Sequence, residues 1–211
     1  METVAPDTLG LLRRIQAIPE LRATRLVGGT ALSLLLGHRT SVDLDFFGDW
    51  DRQLNLLDLL STCGHATPTK ETQNPRASFQ FFMVNGVKVD IVTYPCPWLA
   101  PAVEEDGLRL AGLRDIAAMK LQAITNRGRK RDFVDMAVLL EHFNLDEMLD
   151  FYLLKYPGHD IRLVKRSLEY FEDAEHEFDA NMLVPLKWAD AKKRILKAVR
   201  DTPRNQNPSS F

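Results

Sequence analysis

From Leu113 nearly to its end this chain is written at helical spacing, and every β-like run lies ahead of that point. Strands gathered in one half and helices in the other exclude the strict βαβα alternation of a parallel sheet. The expectation is an α+β protein, with a small mixed β-sheet and flanking helices followed by a C-terminal helical module. The boundary is expected near residue 105. That gives a core over residues 1–105, a helical module over 106–201 and a polar, Pro-containing tail over 202–211 that is expected to be disordered. A chain of 211 residues buries about 70 % of its unfolded surface, so no disulfide or zinc staple is required. Cys63 and Cys96 are far apart and form no C-x-x-C pair, which argues against a disulfide scaffold or a cysteine-rich metal site.

Lys plus Arg number 27 and Asp plus Glu 29, for a net charge of −2. That balance argues against coating nucleic acid by bulk charge, while a local basic patch remains open. No apolar stretch is long enough to span a bilayer. The first residues are neither basic nor followed by a signal-like apolar core, so the expected location is cytoplasmic, with no membrane partner.

Residues 8–18 carry Leu9, Leu12, Ile15 and Ile18 at helical spacing, and Pro19 stops them. Residues 22–27 read as a short strand, Gly28-Gly29 as a turn, and 30–36 as a buried helix ended by Gly37. Residues 41–47 alternate, with Val42, Leu44 and Phe46 on one face and Asp43 and Asp45 on the other. A helix is expected over 53–63. Asn85-Gly86 between the β-rich runs 79–84 and 87–93 is a strong hairpin signal, because both residues tolerate φ > 0. Three prolines make 94–101 a loop. Helices are expected over 113–127, 132–143, 145–156, 160–174 and 188–199.

Three features carry chemistry. A Gly-Gly step between a strand and a helix lets the backbone approach a ligand, with the helix N–H groups facing it and Thr30 adding a hydroxyl. Such a turn is also common as plain structure. The carboxylates of Asp43 and Asp45, at i and i+2 of a strand, project from one face and repel unless a cation sits between them. Hard oxygens suit Mg²⁺, which also binds substrate phosphates. Asp90 follows Lys88 on the outward face of 87–93. Alone it reads as a solvated residue of an amphipathic strand. With the other two it completes the set that two-metal phosphoryl transfer needs.

The helical half supplies positive charge. Residues 113–131 hold Arg114, Lys120, Arg127, Arg129, Lys130 and Arg131 against Asp115 alone. A helix dipole accounts for a basic last turn. It does not account for Lys120, which lies mid-helix among Met119, Leu121 and Ile124. On one straight helix from 113 to 143, Lys120, Arg127, Arg131 and Asp135 share a face and Asp132 lies off it. If Gly128 breaks the helix, Asp132 becomes the N-cap of the next one. The break, and Asp132 with it, is the reading adopted.

Gly28-Gly29-Thr30-Ala31-Leu32 followed by the run from His38 through Asp43-Leu44-Asp45 to Phe47 resembles the first motif of the AbiEii/AbiGii nucleotidyltransferase toxin family. That family belongs to the DNA polymerase β-like nucleotidyltransferase superfamily. Lys120-Leu121-Gln122-Ala123-Ile124, then Arg127, then Arg131-Asp132-Phe133-Val134-Asp135, resembles its second motif. The resemblance runs from about residue 24 to 143. The superfamily has Gly-Ser where this chain has Gly-Gly-Thr, which puts Thr30 in line as the hydroxyl contact.

The resemblance implies that Asp43, Asp45 and Asp90 hold two Mg²⁺ ions, with Mn²⁺ as an alternative. Asp90 is then the candidate base. Gly28, Gly29 and Thr30 would cradle the phosphates, Lys120 would reach the triphosphate, and Arg131 and Asp132 would complete the nucleotide site. The activity implied is transfer of an NMP from an NTP to a hydroxyl of RNA, such as tRNA, or of protein. The chain would then be the toxin of a toxin–antitoxin or abortive-infection pair with a cognate antitoxin. Two other readings stand beside it. One is a small-molecule nucleotidyltransferase of the antibiotic-modifying kind, and the other is a non-catalytic NTP-binding interaction protein. The run 169–179, with six acids and no Lys or Arg, reads as a solvated face or a contact for a basic partner.

Overall fold

The computed structural model describes residues 3–70 and 77–202. The chain divides into two compact units, Met1–Ile116 with Asn181–Val184 and Ala117–Ala180 with Pro185–Phe211. The tail expected to be disordered lies, from residue 203, outside the described residues.

The first unit is built on one mixed sheet. Its strands are β1 (Thr24–Val27), β2 (Leu44–Gly48), β3 (Ala66–Pro68), β4 (Phe79–Val84), β5 (Val87–Thr93), β6 (Val103–Glu105) and β7 (Leu108–Leu110). Their order across the sheet is β3-β4-β5-β2-β1-β7-β6. β2 runs antiparallel to β1 and parallel to β5, so it lies in the middle with a partner on each side. Leu44 and Phe46 of β2 and Val89 and Ile91 of β5 are fully buried on one face. The period-2 alternation then sends Asp45, Lys88 and Asp90 to the other. The β4–β5 hairpin turns at Asn85 and Gly86, both with positive φ (50 and 80), as the sequence predicts.

Among the described residues, the α-helices that belong wholly to this unit are α1 (Pro6–Gln16), α2 (Gly28–Leu36) and α3 (Leu56–Ser61). Pro6 starts α1, where a missing N–H costs nothing, and Arg13 and Arg14 in its last turn complement the helix dipole. Gly28-Gly29 is not a separate turn: both residues lie inside the first turn of α2, which Gly37 ends in the left-handed region. The strand expected from residue 41 begins only at Leu44. Thr40 N–H is taken by Asn181 O, and Ser41 N–H by Thr3 O, at 2.9 Å each. Those bonds hold residues 40 and 41 off the sheet. The unit extends past residue 105 to Ile116, because β6 and β7 turn back at Asp106-Gly107 and β7 pairs with β1.

The helix α4 (Leu113–Asn126) runs across the division between the units. In the second unit it is followed by α5 (Lys130–Leu139), α6 (Leu145–Lys155), α7 (Ile161–Leu168), α8 (Glu172–Glu175) and α9 (Trp188–Asp201). Gly128, at φ 51, separates α4 from α5 as expected. The N-cap of α5 is Arg129, however, and Asp132 sits within the first turn, its N–H on Arg129 O at 2.9 Å. The chain has already changed direction at Gly128, so the helix begins two residues before the expected 132. Asn144 and Glu147 form a capping box on α6, and Asp160 caps α7. The helix expected over 160–174 is two pieces, α7 and α8. Phe133 of α5 meets Phe171 at a tilt, 4.9 Å between ring centres, and Trp188 edge-on at 6.0 Å, which gathers these helices into one core.

Candidate active site

In the first unit, Asp45 and Asp90 are register partners on the parallel pair β2–β5. Neighbouring strands lie about 4.8 Å apart, so partner side chains on the same face are adjacent. Asp90 is buried at 8 % exposure. One of its oxygens, Oδ2, accepts a hydrogen bond from the Lys88 ammonium. The other, Oδ1, is buried and accepts none. Burial raises the Asp90 carboxyl above the usual carboxylate range; Lys88 pulls it down, and the Asp43 charge pushes it up again. The Asp43 charge and the Asp45 side chain thus both act on the Asp90 carboxyl.

The start of α2 is fitted closely to these acids. Gly28 has φ 71, and a Cβ there would lie 2.5 Å from Asp45 Oδ2. Only glycine lets the Asp45 carboxylate approach the helix N-terminus this closely. At Gly29 a Cβ would collide with the Arg39 guanidinium. Arg39 is 4 % exposed and donates from Nη1 to Thr40 O at 2.9 Å. Thr30 is buried, and its hydroxyl meets Ser41 Oγ at 2.8 Å and the backbone oxygen of Asp43. That hydroxyl is committed to holding the segment that carries Asp43.

The donor chemistry suits a hard divalent cation. Asp45 and Asp90 are adjacent across β2–β5, and a buried oxygen of Asp90 lacks a hydrogen bond. Among the described residues no three His, Cys, Asp or Glu side chains close around a common point, and Lys88 holds Asp90 instead. Residues Asp43, Asp45 and Asp90 are the ones that would hold the ion.

In the second unit, Lys120 is 6 % exposed. Its Nζ lies 2.9 Å from Asp132 Oδ1 and 2.5 Å from Asp135 Oδ2. Arg127 Nε reaches Asp132 Oδ2 at 3.3 Å. Burial pushes the Asp132 carboxyl up, but Lys120 and Arg127 together outweigh it and hold the group below the usual carboxylate range. Both acids between which the sequence leaves a choice therefore touch Lys120. The break at Gly128 allows this, since it lets α5 set two successive turns against α4. Arg131 lies in the first turn of α5. Periodicity and spacing give no signal for the contacts that Arg39, Lys88 and Asp135 make here. Arg39 is legible as the only Arg or Lys between the Gly-Gly step and Asp43.

Comparison with known proteins places the chain in a family and a fold. Residues 10–209 match the family model described as nucleotidyl transferase AbiEii toxin, Type IV TA system. Uncharacterized protein aq_aa25 of Aquifex aeolicus (strain VF5) is 35% identical over 162 residues, covering 72% of this chain and 75% of that protein. The solved structure of MenT4, the nucleotidyltransferase toxin Rv2826c from Mycobacterium tuberculosis H37Rv, superposes with a TM-score of 0.62 at 16% identity. That match covers 94% of this chain and 85% of that one. JHP933 from Helicobacter pylori gives a TM-score of 0.55 at 20% identity, covering 93% and 92%. At these identities the solved structures establish the shared fold. Among the described residues no helix is long and apolar enough to cross a membrane.

Proposed function

The chain belongs to the AbiEii family of nucleotidyltransferase toxins, and from that premise we propose that it moves an NMP from an NTP to a hydroxyl of RNA or protein, as the toxin of a pair with a cognate antitoxin. The observation that carries this reading is the pairing of Asp45 with Asp90 across β2–β5 at the N-terminus of α2. The acceptor oxygen bonds to the α-phosphorus, the bond to the β-phosphate oxygen breaks, and pyrophosphate leaves. Asp90, its pKa raised by burial, takes the acceptor proton. Two Mg²⁺ ions held by Asp43, Asp45 and Asp90 would supply charge neutralisation at the transferring phosphoryl group. The N–H groups at Gly28 and Gly29 receive phosphate oxygens, as helix N-termini do. Thr30 acts by fixing the backbone at Asp43. The motif resemblance assigns Lys120, Arg131 and Asp132 to the nucleotide.

The test is incubation of the protein with Mg²⁺, each α-labelled NTP in turn, and total cellular RNA and protein. Label should appear on one macromolecular class and be lost in Asp45→Asn. Label on a small molecule instead favours the antibiotic-type reading. NTP bound without release of pyrophosphate sinks the enzymatic one.

A further inference from the structure

The strand β4 reverses the ordinary pattern of an antiparallel strand with one covered face. Such a strand turns apolar residues inward and polar ones to solvent. Here Gln80 lies inside at 2 % exposure, beside Phe82 and Val84, while Phe79, Phe81 and Met83 alternate onto the open face. Phe79 is 58 % exposed and Met83 36 %. Large apolar side chains scattered singly over a surface need no explanation, but a row of them on one strand does. This row borders the acids. Phe81 is the register partner of Asp90, and Met83 that of Lys88. Lys88 Nζ lies 5.6 Å from the centre of the Phe81 ring and also holds Asp90. Phe81, Lys88 and Asp90 therefore share one face of the sheet, which Asp45 joins from β2. Across β1, β2, β5 and β4, one level of the sheet carries Val27, next to the Gly28-Gly29 step, then Asp45, Asp90 and Phe81.

We propose that the open face of β4, formed by Phe79, Phe81 and Met83, is the platform on which the nucleobase of the donor NTP rests. The inference builds on the nucleotidyl-transfer reading and adds where the base lies. In that reading the triphosphate runs from the N-terminus of α2 to an α-phosphorus at Asp45 and Asp90. The nucleoside is bonded to that phosphorus, so the base lies within one ribose of the acids. Phe81 is one strand beyond Asp90, about 4.8 Å, and Phe79 lies two residues, about 7 Å, further along β4. Aromatic side chains at that distance offer the base a flat apolar surface on which to stack. A phosphate chain gains nothing from such a row. An apolar segment of another protein would cover the rings, but it would not account for their place beside the acids. The open face of β4 carries no hydrogen-bonding side chain of its own. A platform of that kind holds a base by its π-face and does not read its edges, so it adds affinity for purines and pyrimidines alike.

The test is calorimetric titration of the full chain, in Mg²⁺, with the non-hydrolysable α,β-methylene analogues of ATP and CTP and, separately, with inorganic tripolyphosphate. Phe79→Ala and Phe81→Ala should each weaken binding of both analogues about five-fold or more and leave tripolyphosphate within about two-fold. Phe81→Tyr keeps the ring and should bind the analogues as the wild type does. Leu154→Ala, at a residue of α6 that is 64 % exposed, should change no affinity by more than about two-fold. Unchanged nucleotide affinity in both alanine variants overturns the proposal and leaves the transfer reading standing. So does an equal loss for tripolyphosphate, which would mean a damaged phosphate site. So do analogues that bind the wild type no better than tripolyphosphate, since the base then contributes nothing. If the alanine variants keep nucleotide affinity but lose transfer, the row serves the acceptor; if they alter only the sedimentation of the chain, the row joins two copies. Either result overturns it. A wild-type protein that binds neither the analogues nor tripolyphosphate refutes the transfer reading itself, and the platform with it.

Discussion

Replacing Lys120 with methionine roughly keeps the volume of the side chain and removes its ammonium. In the native protein that ammonium lies 2.9 Å from Asp132 and 2.5 Å from Asp135. Both acids are completely buried. Without Lys120, the nearest remaining cation to Asp132 is Arg127, at 3.3 Å through Nε and half exposed. Removing one partner of a buried ion pair costs about 3–5 kcal/mol, because the other charge stays out of water. For a chain of this size each kcal/mol lowers Tm by about 2–4 °C, so a drop of roughly 6–20 °C is expected.

The sign of the pH dependence is fixed by the same contacts. Burial raises the Asp132 carboxyl, and Lys120 and Arg127 more than reverse it, so the folded-state pKa is depressed. Such a group contributes stability that is complete above the unfolded pKa, about 3.9, and lost as pH falls through the folded value. In Lys120→Met the main attraction is gone, burial dominates, and Asp132 takes up its proton more readily. The variant is then penalised most near neutral pH and relieved by acid. Calorimetry at about pH 7.5 and about pH 5 should show a wide Tm gap that narrows at the lower value. Adding Asp132→Asn and Asp135→Asn to Lys120→Met should restore most of the loss. A Lys120→Met protein within about 2 °C of wild type near neutral pH would refute the reasoning, as would a gap that neither acid nor the triple variant closes.

Gly28→Ala places a Cβ 2.5 Å from Asp45 Oδ2 at a positive φ and should cost about 1–3 kcal/mol by denaturant titration. Gly86→Ala has a similar φ with nothing within 4 Å, and should cost only about 1 kcal/mol; equal losses would deny the Asp45 contact any weight. Mg²⁺ or Mn²⁺ should raise the Tm of the wild-type protein by mass action, and the Asp43→Asn, Asp45→Asn double variant should fold yet lose that rise. A rise that survives the double substitution locates the cation elsewhere. Lys88→Met frees the Asp90 oxygen that the ammonium occupies, so the same melts should show a larger Mg²⁺-dependent rise than in wild type. An equal or smaller rise refutes competition between Lys88 and the metal.

The central strands were legible because their signals are local. Asn85-Gly86 fixes β4 and β5 residue for residue, and the alternation through Leu44-Asp45-Phe46 sets the faces of β2. β6 and β7 leave little trace in the sequence, because three-residue strands carry almost no alternation. Their turn is nonetheless marked by Asp106-Gly107, with φ 49 and 76, the same chemistry as the hairpin that was read. Asp43 looked like a strand residue because alternation extends back to Val42. The bonds that pull its neighbours off the sheet come from Thr3 and Asn181, at sequence distances no periodicity reports. For the same reason the acids and glycines of the site were readable as types, whereas the Arg39 guanidinium over Gly29 and the Lys88 ammonium on Asp90 were not. Such pairs are set by side-chain reach after folding.

Arg39 pairs across an isolated antiparallel bridge with Met182, with Leu183 N–H on His38 O and Thr40 N–H on Asn181 O, each at 2.9 Å. The loop that puts a guanidinium over the Gly-Gly step is thus anchored by backbone from far downstream, a closure whose entropy must be met before the contact forms. Ribosomes add about 5–20 residues per second, so on the order of ten seconds separates synthesis of Arg39 from synthesis of its anchor. Through that interval a nascent chain carries the motif without the loop geometry around it. The timing of translation therefore sets when this loop is complete.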